Sequence, residues 1–160
     1  MDTHSSAEIK IYSSKEDYLG YDFVIYTAVS YVPGNNKICK LFVKIYDMKL
    51  NKVVREIKES KEYYDTQLVK YDVFKTTLEQ GLEKEFQNYK ELKLLFVTSD
   101  ELVIKQINNI YGSSYSVLEY VKYIQEARKE FKTIDFLYHP KRAEHIDWTM
   151  RDMQKNAKNI

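Results

Sequence analysis

The sequence predicts an α/β domain built on a mixed five-stranded sheet, with three antiparallel strands followed by two parallel ones and helices packed on it. Three observations carry this prediction. Leu92–Thr98 (LKLLFVT) is a short, almost unbroken apolar run that stops at Ser99-Asp100, as a strand buried on both faces does where it feeds a helix. Three stretches rich in β-branched and aromatic residues fill positions 21–59 and are separated by short turn-forming segments. From Thr66 onward, apolar residues recur at helical rather than strand spacing.

In chain order, residues 1–20 are mostly polar and read as a partly ordered arm, with Ile9, Ile11 and Tyr12 as a candidate short strand and His4 as a solvated side chain. Tyr21–Val32 is apolar on both alternating faces, as a central strand is. Pro33-Gly34-Asn35-Asn36 is a turn by composition. In Lys37–Met48, Cys39, Leu41, Val43 and Ile45 form a core face, while Ile38, Lys40, Phe42, Lys44 and Tyr46 face the other way. Val53–Glu59 carries charge on both faces, as an edge strand does. These three strands form an antiparallel meander.

Thr66–Lys90 reads as one long helix, with Gly81 marking a close contact. After the buried strand, Ser99 or Asp100 caps a short helix to about Ile110. Ser116 and Glu119 have capping-box spacing and open a helix to about Phe131. Thr133–His139 is the fifth strand, ended by Pro140, and Arg142–Lys158 is a weakly amphipathic last helix. The order is βββ-α-β-α-α-β-α, with residues 21–160 as a single domain behind the arm.

A chain of 160 residues buries roughly 70% of its unfolded surface, enough for a core. The net charge of +1 does not by itself point to nucleic acid, so such binding would need a local patch. A single cysteine, Cys39, excludes an intrachain disulfide and a Cys-rich metal site, and its place on an apolar face makes it a core residue. The polar N-terminus and the lack of a long apolar run lead to the expectation of a cytoplasmic protein with no membrane partner.

The element order and the residues at the strand ends resemble the ribonuclease H-like family over about Tyr21 to Ala157. Tyr26-Thr27-Ala28-Val29-Ser30, followed by Pro33-Gly34, stands where the family carries Tyr-Thr-Asp-Gly-Ser before a Gly-rich turn. Thr66-Gln67-Leu68 opens the first long helix, and the family's helix glutamate falls at Lys70 or Tyr71. Thr98-Ser99-Asp100 stands where the family has Thr-Asp-Ser before a Val-Ile pair, here Val103-Ile104. His139 and Asp147 match the family's histidine and last aspartate.

The resemblance implies two divalent ions, Mg²⁺ or Mn²⁺, held by converging carboxylates. At the matched positions stand Ala28, Tyr71, Ser99 and Asp147, of which only Asp147 is a carboxylate. The resulting expectation is a non-catalytic module with no metal or other cofactor. The alternative is a metal-dependent nuclease with displaced carboxylates, using Asp147, Asp100, Asp72 and His139. Asp100 is one residue from the matched position and reads as a helix cap, while Asp72 reads as lying on a solvated face.

His139 is open between a proton or phosphate contact and a structural role; His145 reads as surface and Trp148 as packing. Lys40, Phe42, Lys44 and Tyr46, with Lys141 and Arg142, form the candidate nucleic-acid-binding set, because cations interleaved with aromatics pair with phosphates and stack on bases. The competing reading buries Phe42 and Tyr46 and leaves the lysines to snorkel. Expected partners are RNA, an RNA–DNA hybrid or a single strand, or a protein, including a second copy.

Overall fold

A computed structural model of the chain describes residues 9–32, 34, 37–108 and 115–140. The meander is present as β2 (Phe23–Tyr31), β3 (Ile38–Asp47) and β4 (Lys52–Glu62), antiparallel in order. The buried run forms β5 (Lys93–Thr98), parallel to β2, and β6 (Thr133–Tyr138) lies parallel to β5.

The sheet has six strands rather than five. Lys10–Ile11 forms β1, parallel to β6, so the sheet order is β1-β6-β5-β2-β3-β4. Within the expected arm, Lys10 is held to Asp135 at 2.9 Å and to the Tyr21 hydroxyl at 2.9 Å. The Tyr21 hydroxyl donates to the same Asp135 carboxylate at 2.6 Å.

Helix α1 (Val69–Leu82), α2 (Glu101–Ile107) and α3 (Tyr115–Glu130) cover one face of the sheet. The alternation expected for β3 holds: Cys39, Leu41, Val43 and Ile45 are fully buried on this face. Phe74 of α1 packs edge-on against Phe96 of β5 and Phe136 of β6, each at 5.2 Å between centroids. Each such buried ring contributes roughly 1.5–3 kcal/mol.

The opposite face carries a second cluster of Val24, Tyr26, Phe42, Leu95, Val97 and Leu137, together with Tyr18 from the 9–20 segment. Leu94 and Phe96 face one cluster while Leu95 and Val97 face the other, which explains why the β5 sequence is apolar throughout.

Two helices differ from expectation. The expected helix over Thr66–Lys90 is a 3₁₀ turn at Thr66–Leu68 followed by α1, which ends at Leu82. A Cβ at Gly81 would lie 2.2 Å from two ring carbons of Phe86, so the chain after Leu82 folds back and seats Phe86 against the bare glycine. The expected cap at Ser116 lies inside α3, which starts at Tyr115. The Arg142–Lys158 helix lies outside the described residues.

Candidate functional site

Of the family-matched positions, Tyr71 lies at the start of α1, Ser99 follows β5 just before α2, and Ala28 lies within β2, two residues past its last pair with β5, Tyr26 with Val97. Thr27 is buried, and its hydroxyl donates to the Val97 carbonyl at 3.2 Å, tying the two strands together. Ala28 follows on the other face, half-buried beside the second cluster and opposite Phe42 in the β2–β3 register. Its methyl offers no ligand atom.

Ser99 is half-buried at the end of β5. Asp100 caps α2, accepting from the Val103 amide at 3.1 Å, as the sequence reading expected. Its second oxygen lies 3.4 Å from the Lys70 ammonium. Tyr71 is only 4% exposed. Burial, with a smaller contribution from the Asp100 charge, pushes its phenol up to about 12.

Asp72 corrects an expectation. It is 8% exposed rather than solvated. The Tyr63 hydroxyl donates to it at 2.5 Å, Lys61 at 3.2 Å and the Thr76 hydroxyl at 3.3 Å. Helical periodicity alone put this side chain on an outer face, but the end of β4 and the residue that follows it lie over it and supply Lys61 and Tyr63.

His139 is fully buried, its ring stacked on Tyr12 at 4.2 Å. Its amide donates to the Thr98 carbonyl at 2.8 Å. A ring with no exposed surface is not placed to touch a phosphate arriving from solvent. Among the described residues, no three His, Cys, Asp or Glu side chains gather closely enough to hold a metal ion. Asp147, Lys141, Arg142, His145, Trp148 and His4 lie outside the described residues.

The second candidate set lies on the outer half of the other face. Phe42 is 1% exposed and therefore no stacking platform, which corrects its place in that set. Two ammonium groups sit above its ring, Lys44 at 5.9 Å and Lys58 at 5.2 Å from the centroid. Tyr46 is half-buried and its hydroxyl donates to the Asn51 side chain. Lys40 lies between Ser30 of β2 and Ser60 of β4 in the register. The face thus carries Lys40, Lys44 and Lys58, the Lys58 side chain 56% and the Lys44 side chain only 16% exposed, with Glu56 as the near carboxylate, 3.8 Å from Lys44 and 3.9 Å from Lys58.

Lys58 is a member that sequence reasoning missed. The signal was the alternation of Glu56, Lys58, Ser60 and Glu62, which β3–β4 pairing brings onto the lysine face. Cys39 is buried, as expected, and burial pushes its thiol up.

No family model matches the sequence, and no curated protein matches it. Solved structures do. An RNase H1 isolated from compost by a metagenomic approach superposes with a TM-score of 0.65 at 14% identity, covering 87% of this chain and 96% of that one. The N-terminal RNase H domain from Mycobacterium tuberculosis, solved as a fusion with maltose binding protein, gives 0.61 at 15% identity, covering 74% and 87%. The foamy viral protease-reverse transcriptase in complex with an RNA/DNA hybrid gives 0.63 at 14% identity, covering 87% of this chain and 20% of that one. The chain has a ribonuclease H-like fold.

Proposed function

We propose that this ribonuclease H-like chain is a non-catalytic module that binds nucleic acid through the lysine face of β3 and β4. One observation supports the loss of chemistry: the carboxylates nearest in sequence to the matched positions are already engaged. Asp100 is divided between a helix cap and Lys70, Asp72 is ringed by Tyr63, Lys61 and Thr76, and position 28 is a methyl. A divalent ion would have to displace an ammonium and a helix cap before meeting an oxygen. No metal or other cofactor is needed for binding.

Binding is supported by Lys40, Lys44 and Lys58 on one surface and by the hybrid in the foamy viral neighbour. Such cations position a phosphate backbone without reading sequence. Lys141 and Arg142 would extend the surface.

The test is fluorescence anisotropy with an RNA–DNA hybrid and a single-stranded RNA across a salt series. The wild type should bind with a log–log salt slope that drops by roughly 2–3 when Lys40, Lys44 and Lys58 are all replaced by Ala. Absence of binding at low salt would overturn this reading and leave a protein partner. Cleavage of the hybrid with Mn²⁺, lost in Asp147→Asn, would establish instead the nuclease with displaced carboxylates.

A further inference from the structure

The outer side of β4 is an open sheet edge. The strand is 11 residues long and ends the sheet order, and no described strand pairs with its outer side. Glu56, Lys58, Ser60 and Glu62 are exposed, and Val53 is 41% exposed. Open edges pair with other chains unless something prevents it, and charge is the usual protection. What matters is therefore how the charges of this edge would meet those of a second copy.

In an antiparallel pair, directly opposite residues project to the same side of the sheet, so the two-fold axis of a symmetric pair passes midway between one residue and its own copy, and is named below by that residue. With the axis on Ile57, Glu56 lies opposite Lys58 of the second copy and Lys58 opposite its Glu56. On the helix-covered side, Arg55 lies opposite Glu59 and Glu59 opposite Arg55. Every charge from Arg55 to Glu59 meets its opposite. An axis on Arg55, Glu56, Lys58 or Glu59 sets a like charge against itself. An axis on Ser60 also matches charges but overlaps only Lys58–Glu62 within the strand, whereas Ile57 is the midpoint of Lys52–Glu62.

We propose that β4 pairs with β4 of a second copy of this chain, antiparallel about Ile57, to make one continuous twelve-stranded sheet from the two six-stranded ones. The axis is normal to the sheet, so both lysine faces lie on the same side, with the two Lys58 residues nearest the axis. The pairing is independent of the nucleic-acid reading and is measured without nucleic acid. Hydrogen bonds between the edges supply the attraction, and the charge pattern selects the register.

The test is sedimentation velocity of the full chain from micromolar to submillimolar concentration. The wild type should form a dimer. Glu56→Lys and Lys58→Glu each set two like-charged pairs opposite one another and should weaken dimerisation about tenfold or more. The double variant Glu56→Lys/Lys58→Glu restores opposite pairs and should recover the wild-type constant. Both side chains are exposed, and circular dichroism checks that each variant folds. In hydrogen exchange, amides within 55–59 should gain protection as concentration rises. A wild type that stays monomeric throughout, or a double variant no better than the singles, would overturn the proposal.

Discussion

The ammonium of Lys70 stands 3.4 Å from the carboxylate of Asp100, whose other oxygen caps α2. A protein cation therefore pairs with the acid that follows Ser99 in the sequence. The two functions of this carboxylate separate by substitution. Asp100→Asn keeps a capping oxygen and loses the charge of a part-exposed pair, so stability should fall by less than about 1 kcal/mol. Asp100→Ala loses the cap as well, and should fall by about 1 kcal/mol more. Urea midpoints at constant m-value measure both. Equal losses in the two variants would mean that the cap contributes nothing.

Asp72 should behave as a structural group. Its neighbours Tyr63, Lys61 and Thr76 all donate to it. Asp72→Ala leaves the buried Tyr63 hydroxyl without its acceptor and removes a carboxylate from Lys61, which keeps Thr76 at 2.8 Å, so stability should drop by roughly 1–3 kcal/mol. Tyr63→Phe removes one donor and should lose about 1 kcal/mol. Chemical denaturation distinguishes this from a ligand role, in which Mn²⁺ would raise the stability of the wild type and leave Asp72→Ala unmoved.

How far the sequence could be read depended on whether the deciding contact was local. β5 was legible almost to the residue because burial on both faces leaves a continuous apolar run. The alternation of β3 revealed its core face for the same reason. β1 was legible only in part: Ile9, Ile11 and Tyr12 marked a candidate short strand, but its pairing with β6 at the other end of the chain, which adds the sixth strand, has no local signal. Asp72 and Phe42 share one cause, since a single element's periodicity says which side a residue faces but not what lies over it. Lys61 arrives from β4 and Tyr63 from the residue just after it, and Lys58 caps Phe42 from the adjacent strand. In the candidate site, Asp100 was readable because a cap is a local motif, whereas its Lys70 partner comes from a different helix.

Gly81 offers a test in which propensity and packing give opposite signs. Replacing a helical Gly by Ala normally gains up to about 1 kcal/mol. Here the added methyl would lie 2.2 Å from two carbons of the Phe86 ring, which is itself fully buried. Gly81→Ala should instead lose roughly 1–3 kcal/mol. Adding Phe86→Leu should recover part of that loss, so the two changes would be strongly non-additive in a double-mutant cycle. A stabilised Gly81→Ala would mean that the turn after α1 is free to move away.

The Tyr71 phenol predicts a loss of stability in alkali. Burial, then the Asp100 charge, pushes it up to about 12, whereas an unfolded tyrosine titrates near 10. Between about pH 10 and 12 the unfolded chain has released this proton and the folded chain still holds it, so rising pH favours unfolding. Stability is fully present below about pH 10 and falls through about pH 12, by roughly 2–3 kcal/mol for this group if the whole shift is expressed. Burial also raises Tyr63, with a further push from Asp72, so the wild-type decline includes more than one tyrosine. The difference between wild type and Tyr71→Phe isolates one: urea midpoints at pH 9 should shift by a constant offset, and the wild-type curve should fall more steeply above pH 10. Curves that stay parallel to pH 12 would show that Tyr71 titrates as freely in the folded protein as in the unfolded chain.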